Sequence, residues 1–350
     1  MSDILKQPIT DRSAWRGAQL RNDTSWYWSM PPDAIRDIDA ALEKLAATPV
    51  PLSEMTRADM PLPSIENELA ALVREFEHGR GFIVIRGLPL ERYTDDQVAR
   101  IFWGIGRHIG NPISQNAQGD LLGHVKDVGG LTYGAKNVRG YQTTAELNFH
   151  NDNCDVVGLL CFRKARAGGL SRIASATAIY NEVLAKHSAF LDLLYRGFRY
   201  DLRGEERAGV SPITGNIPIY SFFAGKLSMR YVYTSIMQAT RKGGFTLTAE
   251  ESAALTFLNT TAGSEDIVLE MMMEPGDMQF CFNHTVLHSR TEFEEWDEPE
   301  RKRHLLRLWL NVPDGPNRRK LAPEFADRYG TGPGLGVPPP SGQVQAAMRR

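Results

Sequence analysis

Past residue 110 the chain breaks into short β-like runs separated by Gly, Pro and Asp turns, and this rhythm restricts the fold more than any other feature. The runs are Val156 to Phe162, Ile217 to Phe223, Ile267 to Met272, Met278 to Phe282 and His304 to Val312, with Glu274-Pro275-Gly276-Asp277 as a turn between two of them. Helical insertions fall at Ala176 to Tyr195 and Thr248 to Leu258. A doubly wound α/β sheet requires strands and helices in strict alternation, which is missing here. The pattern predicts a mainly β, α+β chain built on a double-sheeted jelly roll, or double-stranded β-helix, flanked by helices.

The first sixty residues are rich in Pro and charge with weak periodicity, which predicts an N-terminal extension over 1–60 that wraps the surface and is not a separate domain. A helix is expected from Ser64, with acidic residues in its first turn, Leu69, Leu72, Val73 and Phe76 at helical spacing, and a stop at Gly79 and Gly81. Phe82 to Gly87 reads as a buried strand, and Thr94 caps a second amphipathic helix through Val98, Ile101, Phe102 and Ile105 that ends near Gly110. The jelly-roll domain is expected over 61–315. A tail over 316–350, with Gly334 to Pro340 inside it, reads as mobile.

Charge excludes some partners. With 40 basic against 42 acidic residues and no dense Lys/Arg run, nothing invites nucleic acid or an anionic membrane. Three cysteines, Cys154, Cys161 and Cys281, do not make a disulfide framework and point to a reducing compartment. Met1 to Trp28 has no apolar h-region and no later stretch is apolar enough to span a bilayer, so the expected location is the cytoplasm. No heptad or single exposed apolar stripe settles whether the chain forms a homo-oligomer.

Chemistry-bearing residues cluster in three places. The first is Phe149-His150-Asn151-Asp152, where i, i+2 spacing in an extended segment sends His150 and Asp152 to one face. Alone this is a common chance pattern. The second is the segment after Pro275-Gly276-Asp277, which carries His284 and His288. Spacing does not reject a His284/His288 metal pair, but no Glu follows His284 as a His-Glu-x-x-His helix requires, and β-type flanks oppose a helix. A His-x-Asp pair with one distant His supplies two imidazoles and a carboxylate, a facial set that suits non-haem Fe(II) with open positions.

The third is Arg303-His304-Leu305-Leu306-Arg307. In a strand both arginines point the same way, and a guanidinium in an apolar strand is costly unless it meets an anion. Either a carboxylate ligand or an internal salt bridge to Glu292, Glu294 or Glu295 meets that need. Gln115-Asn116, Arg139 to Thr143 and Glu146 read as loop or as the substrate mouth, Met271-Met272-Met273 as core, and His78, His108, His124 and His187 as structural.

As a set, these pieces resemble the Fe(II)/2-oxoglutarate dioxygenase superfamily, and within it the taurine dioxygenase and 2,4-dichlorophenoxyacetate dioxygenase (TauD/TfdA) family. The likeness runs from about Gly81 to Val312 and includes Gly168-Gly169-Leu170-Ser171 and Leu287-His288-Ser289-Arg290. It implies that His150, Asp152 and His288 hold Fe(II), that Ser171 stands where the family has a 2-oxoglutarate-binding Thr, and that Arg303 pairs with the far carboxylate of 2-oxoglutarate. Arg307 matches an arginine that contacts an anionic substrate in some members. The resemblance implies oxidative decarboxylation of 2-oxoglutarate by O2 to succinate and CO2, coupled to hydroxylation or desaturation of a small-molecule substrate. Related halogenases lack the carboxylate that Asp152 supplies. Arg307 and Arg290 hint at an anionic group on that substrate, with Glu146 a further mouth residue. The alternative is a cupin-like metal-binding jelly roll, an isomerase or sensor without 2-oxoglutarate, against which Ser171 and the two arginines speak.

Overall fold

A computed structural model describes residues 4–129, 140–206, 209–326 and 335–337. The chain opens with α1 (Gly17–Leu20), β1 (Tyr27–Ser29), α2 (Pro32–Ala47), α3 (Glu66–His78), β2 (Phe82–Arg86) and α4 (Asp95–Ile109). Strands β3 (Asn111–Pro112), β4 (Leu122–Val125), β5 (Leu147–His150), β6 (Val156–Arg163), β7 (Ala167–Gly168) and β8 (Ser171–Ser175) follow. Then come α5 (Ala176–Lys186), α6 (Phe190–Arg196), β9 (Tyr220–Phe223), β10 (Lys226–Met229), α7 (Tyr233–Gly243) and α8 (Ala249–Ala262). The series closes with β11 (Val268–Met271), β12 (Met278–Phe282), β13 (Val286–Arg290), β14 (Phe293–Glu294), β15 (His304–Asn311) and α9 (Pro323–Ala326).

Two sheets make the double-stranded β-helix. The larger runs β1-β2-β12-β6-β15-β3, with β4 also on β15; the smaller runs β11-β8-β13-β5. Side-chain alternation assigns each face. In β2, Ile83 and Ile85 pack toward the N-terminal helices, while Phe82 and Val84 join Ile173, Leu269 and Val286 between the sheets. β15 repeats this: Leu306, Leu308 and Leu310 meet the helices, and Trp309 turns to the inter-sheet side. Burial on both faces explains why these strands read as continuous apolar runs. Each fully buried Leu, Ile or Phe contributes about 1.5–3 kcal/mol.

Thr94 caps α4 as read, its Oγ1 accepting the Gln97 N–H while Gln97 Oε1 accepts the Thr94 N–H. Ser64 is different: it lies in a 3-10 turn, its N–H donating to Asp37 Oδ2 at 2.9 Å, and α3 begins at Glu66 without a side-chain cap. The helical insertion after β8 divides into α5 and α6 around His187 to Ala189. The 217–223 run narrows to β9, since Pro218 cannot donate to a ladder and Ile217 makes only a bridge to Phe198.

Within the first sixty residues α2 is a full amphipathic helix, burying Ala34, Ile35, Ile38, Ala41, Leu42 and Leu45 against the larger sheet's helical layer. Pro32 at its first turn is a start signal, and the charges between its apolar residues obscured the stripe. β1 adds in parallel to β2 at the sheet edge. Most of the 316–350 segment lies outside the described residues. Within the part described, Arg319 Nε donates to both Glu77 carboxylate oxygens at 3.0 and 2.8 Å, tying the segment after β15 to α3.

Gly168 and Gly169 both have φ near +71. A Cβ on Gly168 would meet Glu292 O at 2.3 Å, so β7 approaches the chain before β14 more closely than any side chain permits. Gly168→Ala is expected to lower stability by about 1 to 3 kcal/mol in chemical denaturation.

Candidate metal and co-substrate site

β5 ends at His150, and β13 sets His288 directly opposite in the antiparallel register. Their ring centroids are 4.3 Å apart. The chain then leaves the sheet through Asn151, whose side chain donates to Val286 O and accepts the Tyr231 N–H, each at 2.9 Å. The Asp152 N–H donates to Asn283 Oδ1 at 2.9 Å. So fixed, Asp152 returns to the imidazoles: Oδ1 lies 4.0 Å from His150 Nε2 and Oδ2 lies 3.7 Å from His288 Nε2. Ligand atoms of all three residues fall within 4.8 Å of one another.

The competing histidine resolves on geometry. A turn between β12 and β13 contains His284, so it does not share a strand face with His288. It is fully buried with Nε2 2.8 Å from Asp155 Oδ1, and Asp155 Oδ2 accepts the Val312 N–H. His284 is a strut behind the site.

Burial is the chief cause that lowers the pKa of His150, with Asp152 opposing it and Arg203 and Arg307 reinforcing it. His288 is brought down to about 3 by burial, then by the neighbouring His150. Burial would raise the Asp152 carboxyl, but Arg307, His288, His150 and the Trp309 N–H outweigh it and bring it to about 2. At neutral pH the face therefore offers two neutral imidazoles and a carboxylate, the donor set that fits Fe(II). His150 Nδ1 is 2.8 Å from Asn148 O, which orients that ring with Nε2 toward Asp152.

Arg303 enters the same cavity just ahead of β15. It is 7% exposed, its Nη1 has no hydrogen-bond partner among the described residues, and its guanidinium packs on Phe293 with 5.0 Å to the ring centroid. Glu295, one of the proposed salt-bridge partners, accepts the Arg303 backbone N–H, and among the described residues no ion pair forms to the Arg303 side chain. Burial lowers the guanidinium to about 10, so it is still a cation at neutral pH. A buried cation without a carboxylate fits a carboxylate ligand. Gly169 lets it in, since a Cβ there would stand 3.3 Å from Arg303 Nε. Ser171 lines the cavity, its hydroxyl donating to Gln279 Oε1 at 2.9 Å.

Arg307 faces the metal set: Nη1 is 3.7 Å from Asp152 Oδ2, and Nε donates to Gln115 Oε1 at 2.7 Å. Gln115 Nε2 donates in turn to Arg307 O and Leu121 O, which makes it a clamp on the arginine. Arg290 lies against Phe293, and its Nη2 donates to the carbonyls of Thr143 and Ala145. It thereby anchors the loop leading into β5. Glu146 projects to the surface, where it pairs with Arg172. Of Arg139 to Thr143, Arg139 lies outside the described residues; Gly140 and Tyr141 line the cavity, Tyr141 with its ring 4.7 Å from the Arg307 guanidinium. Trp309, marked by no motif in the sequence, donates its indole N–H to Asp152 Oδ2 at 2.8 Å. Alternation from Arg307 along β15 is the signal that points to it.

This fold and donor set define a class, the non-haem iron oxygenases built on a double-stranded β-helix. The chain belongs to the taurine catabolism dioxygenase TauD, TfdA family, whose family model matches residues 46–309. It is an Fe(II)- and 2-oxoglutarate-dependent dioxygenase, and the cupin-like alternative is left without support. It is 34% identical over 318 residues to FR-33289 synthase of Streptomyces rubellomurinus, covering 90% of this chain and 94% of that one. It is 28% identical over 315 residues to a taurine hydroxylase-like protein of Stachybotrys chartarum, covering 87% and 80%. Among solved structures, asparagine oxygenase with Fe(II), 2S,3S-3-hydroxyasparagine and succinate matches with TM-score 0.64 and 18% identity, over 82% of this chain and 93% of that one. Oxygenase OrfP with Fe and alpha-ketoglutaric acid matches with TM-score 0.59 and 17% identity, over 82% and 94%. These structures share the fold. No helix among the described residues is long and apolar enough to cross a membrane.

Proposed function

We propose that this chain hydroxylates a small anionic organic substrate, with desaturation as the other oxidative outcome, through Fe(II) held by His150, Asp152 and His288. The observation that carries this reading is the convergence of those three side chains and the unpaired Arg303 in one cavity. Bound iron and 2-oxoglutarate supply O2 activation and hydrogen abstraction, releasing succinate and CO2.

The chain's own residues arrange the reactants. Arg303 takes the far carboxylate of 2-oxoglutarate, and the Ser171 hydroxyl turns from Gln279 toward the same group. Arg307 holds positive charge beside Asp152 and faces either the co-substrate or the substrate anion. Trp309 fixes the Asp152 carboxylate, and apolar walls including Leu159, Leu305 and Val125 limit water. The three cysteines are free and buried, in keeping with a reducing, cytoplasmic location.

Trp309→Phe keeps an aromatic side chain and deletes the indole N–H. We expect iron affinity to fall by about tenfold, read by anaerobic Fe(II) titration. The reading as a whole is tested by supplying Fe(II), ascorbate, 2-oxoglutarate and air with a panel of small acids, and following products by mass spectrometry. A panel member that gains one oxygen atom with matching succinate supports it. Succinate release that is unchanged in His150→Ala contradicts it.

A further inference from the structure

A second wall of the cavity is formed by the turn around Arg203 and by α7, and it carries groups without an assigned task. Arg203 lines the cavity from a left-handed backbone position, φ 57, that long L side chains seldom occupy. Asp201 secures the turn: its Oδ1 accepts the Arg203 N–H at 3.0 Å, while the carboxylate is paired with Lys242. Among the described residues no carboxylate lies within ion-pairing reach of the Arg203 guanidinium, and its Nε is buried with no hydrogen-bond partner. His150 and Asp152 line the same cavity, so Arg203 opens on the space that the metal face shares.

Gln238 lines the same cavity from α7, and its Oε1 is also buried, with no hydrogen-bond partner among the described residues. Whichever way its amide is turned, the side chain offers one donor end and one acceptor end. A guanidinium whose Nε is buried without a partner is stabilised by an oxyanion, which its planar fork meets with two parallel hydrogen bonds.

We propose that Arg203, assisted by Gln238, anchors the anionic head of the substrate, a carboxylate, sulfonate or phosphonate, and thereby sets which carbon faces the metal. This rests on the dioxygenase reading above and deepens it. Arg303 and Arg203 come from different walls, so co-substrate and substrate anions are held by different cations. Discrimination among heads follows from the fit of each oxyanion to the Arg203 and Gln238 pair.

The test uses full-length protein loaded with Fe(II) and 2-oxoglutarate under anaerobic conditions. It is titrated calorimetrically with butyrate, propanesulfonate and propylphosphonate, which share a propyl chain and differ in the head. Arg203→Asn is the chosen deletion because Asn tolerates the left-handed backbone. At least one probe is expected to bind wild type and to bind Arg203→Asn about tenfold more weakly or worse. Arg203→Lys restores part of the affinity, and Gln238→Glu weakens it by adding a like charge. Equal binding by wild type and Arg203→Asn for every probe, including no binding by either, overturns the anchor. Succinate formation by the wild-type preparation reports separately on the dioxygenase reading. Its absence counts against that reading, whereas equal probe binding in a protein that does turn over 2-oxoglutarate overturns the anchor alone.

Discussion

His288→Ala is expected to abolish Fe(II)-dependent turnover while the fold stays intact. The substitution removes one of three donors that lie within 4.8 Å of one another. Deleting a group that only supports a ligand costs about 10- to 100-fold, and removing the ligand itself costs more. β13 keeps its backbone pairing with β5 and β8, so a circular dichroism melt should show a cooperative transition close to that of wild type. Succinate release and iron stoichiometry measured side by side check the expectation. Full turnover in this variant would remove His288 from the triad.

Arg303→Leu carries the second large effect, and its two readouts move in opposite directions. The KM for 2-oxoglutarate is expected to rise by about 100-fold or more, because two charge-assisted hydrogen bonds to a carboxylate are lost. The ligand-free protein is expected to gain thermal stability, since the guanidinium is buried without a counterion and burial holds it down at about 10. The sign follows from linkage: a cation whose folded pKa is depressed costs stability while it is charged, throughout the range below about 10, and Leu ends that cost. An arginine serving as an internal salt bridge would do the reverse, because its loss strands a buried carboxylate. Thermal melts with and without 2-oxoglutarate separate the two cases.

Strands β2, β6, β11, β12 and β15, though not β1, β4, β8 or β10, were legible in the sequence because burial leaves largely apolar runs. Phe82 to Arg86 and Met278 to Phe282 show this directly. The placing of His150 and Asp152 was legible in part. An i, i+2 pair predicts a shared face, but Asp152 is turned by the bonds of Asn151 to Val286 and Tyr231 and of its own N–H to Asn283, partners distant in sequence that no local pattern announces. Charge alone did not give direction. Arg290 and Glu146 both lie beside the site in sequence, yet one donates to loop carbonyls and the other pairs with Arg172 outside. Arg203 carried no motif at all; it is singled out only by the left-handed turn and the cavity it faces. In α2, charges between the apolar residues hid a stripe that packing makes plain.

The most direct test of the account is succinate formation from 2-oxoglutarate by anaerobically purified protein given Fe(II), ascorbate and air, compared with His150→Ala. The account predicts succinate from wild type, even slowly and without an added substrate, and none from the variant. Iron bound at one equivalent by wild type with no succinate under any condition would contradict it.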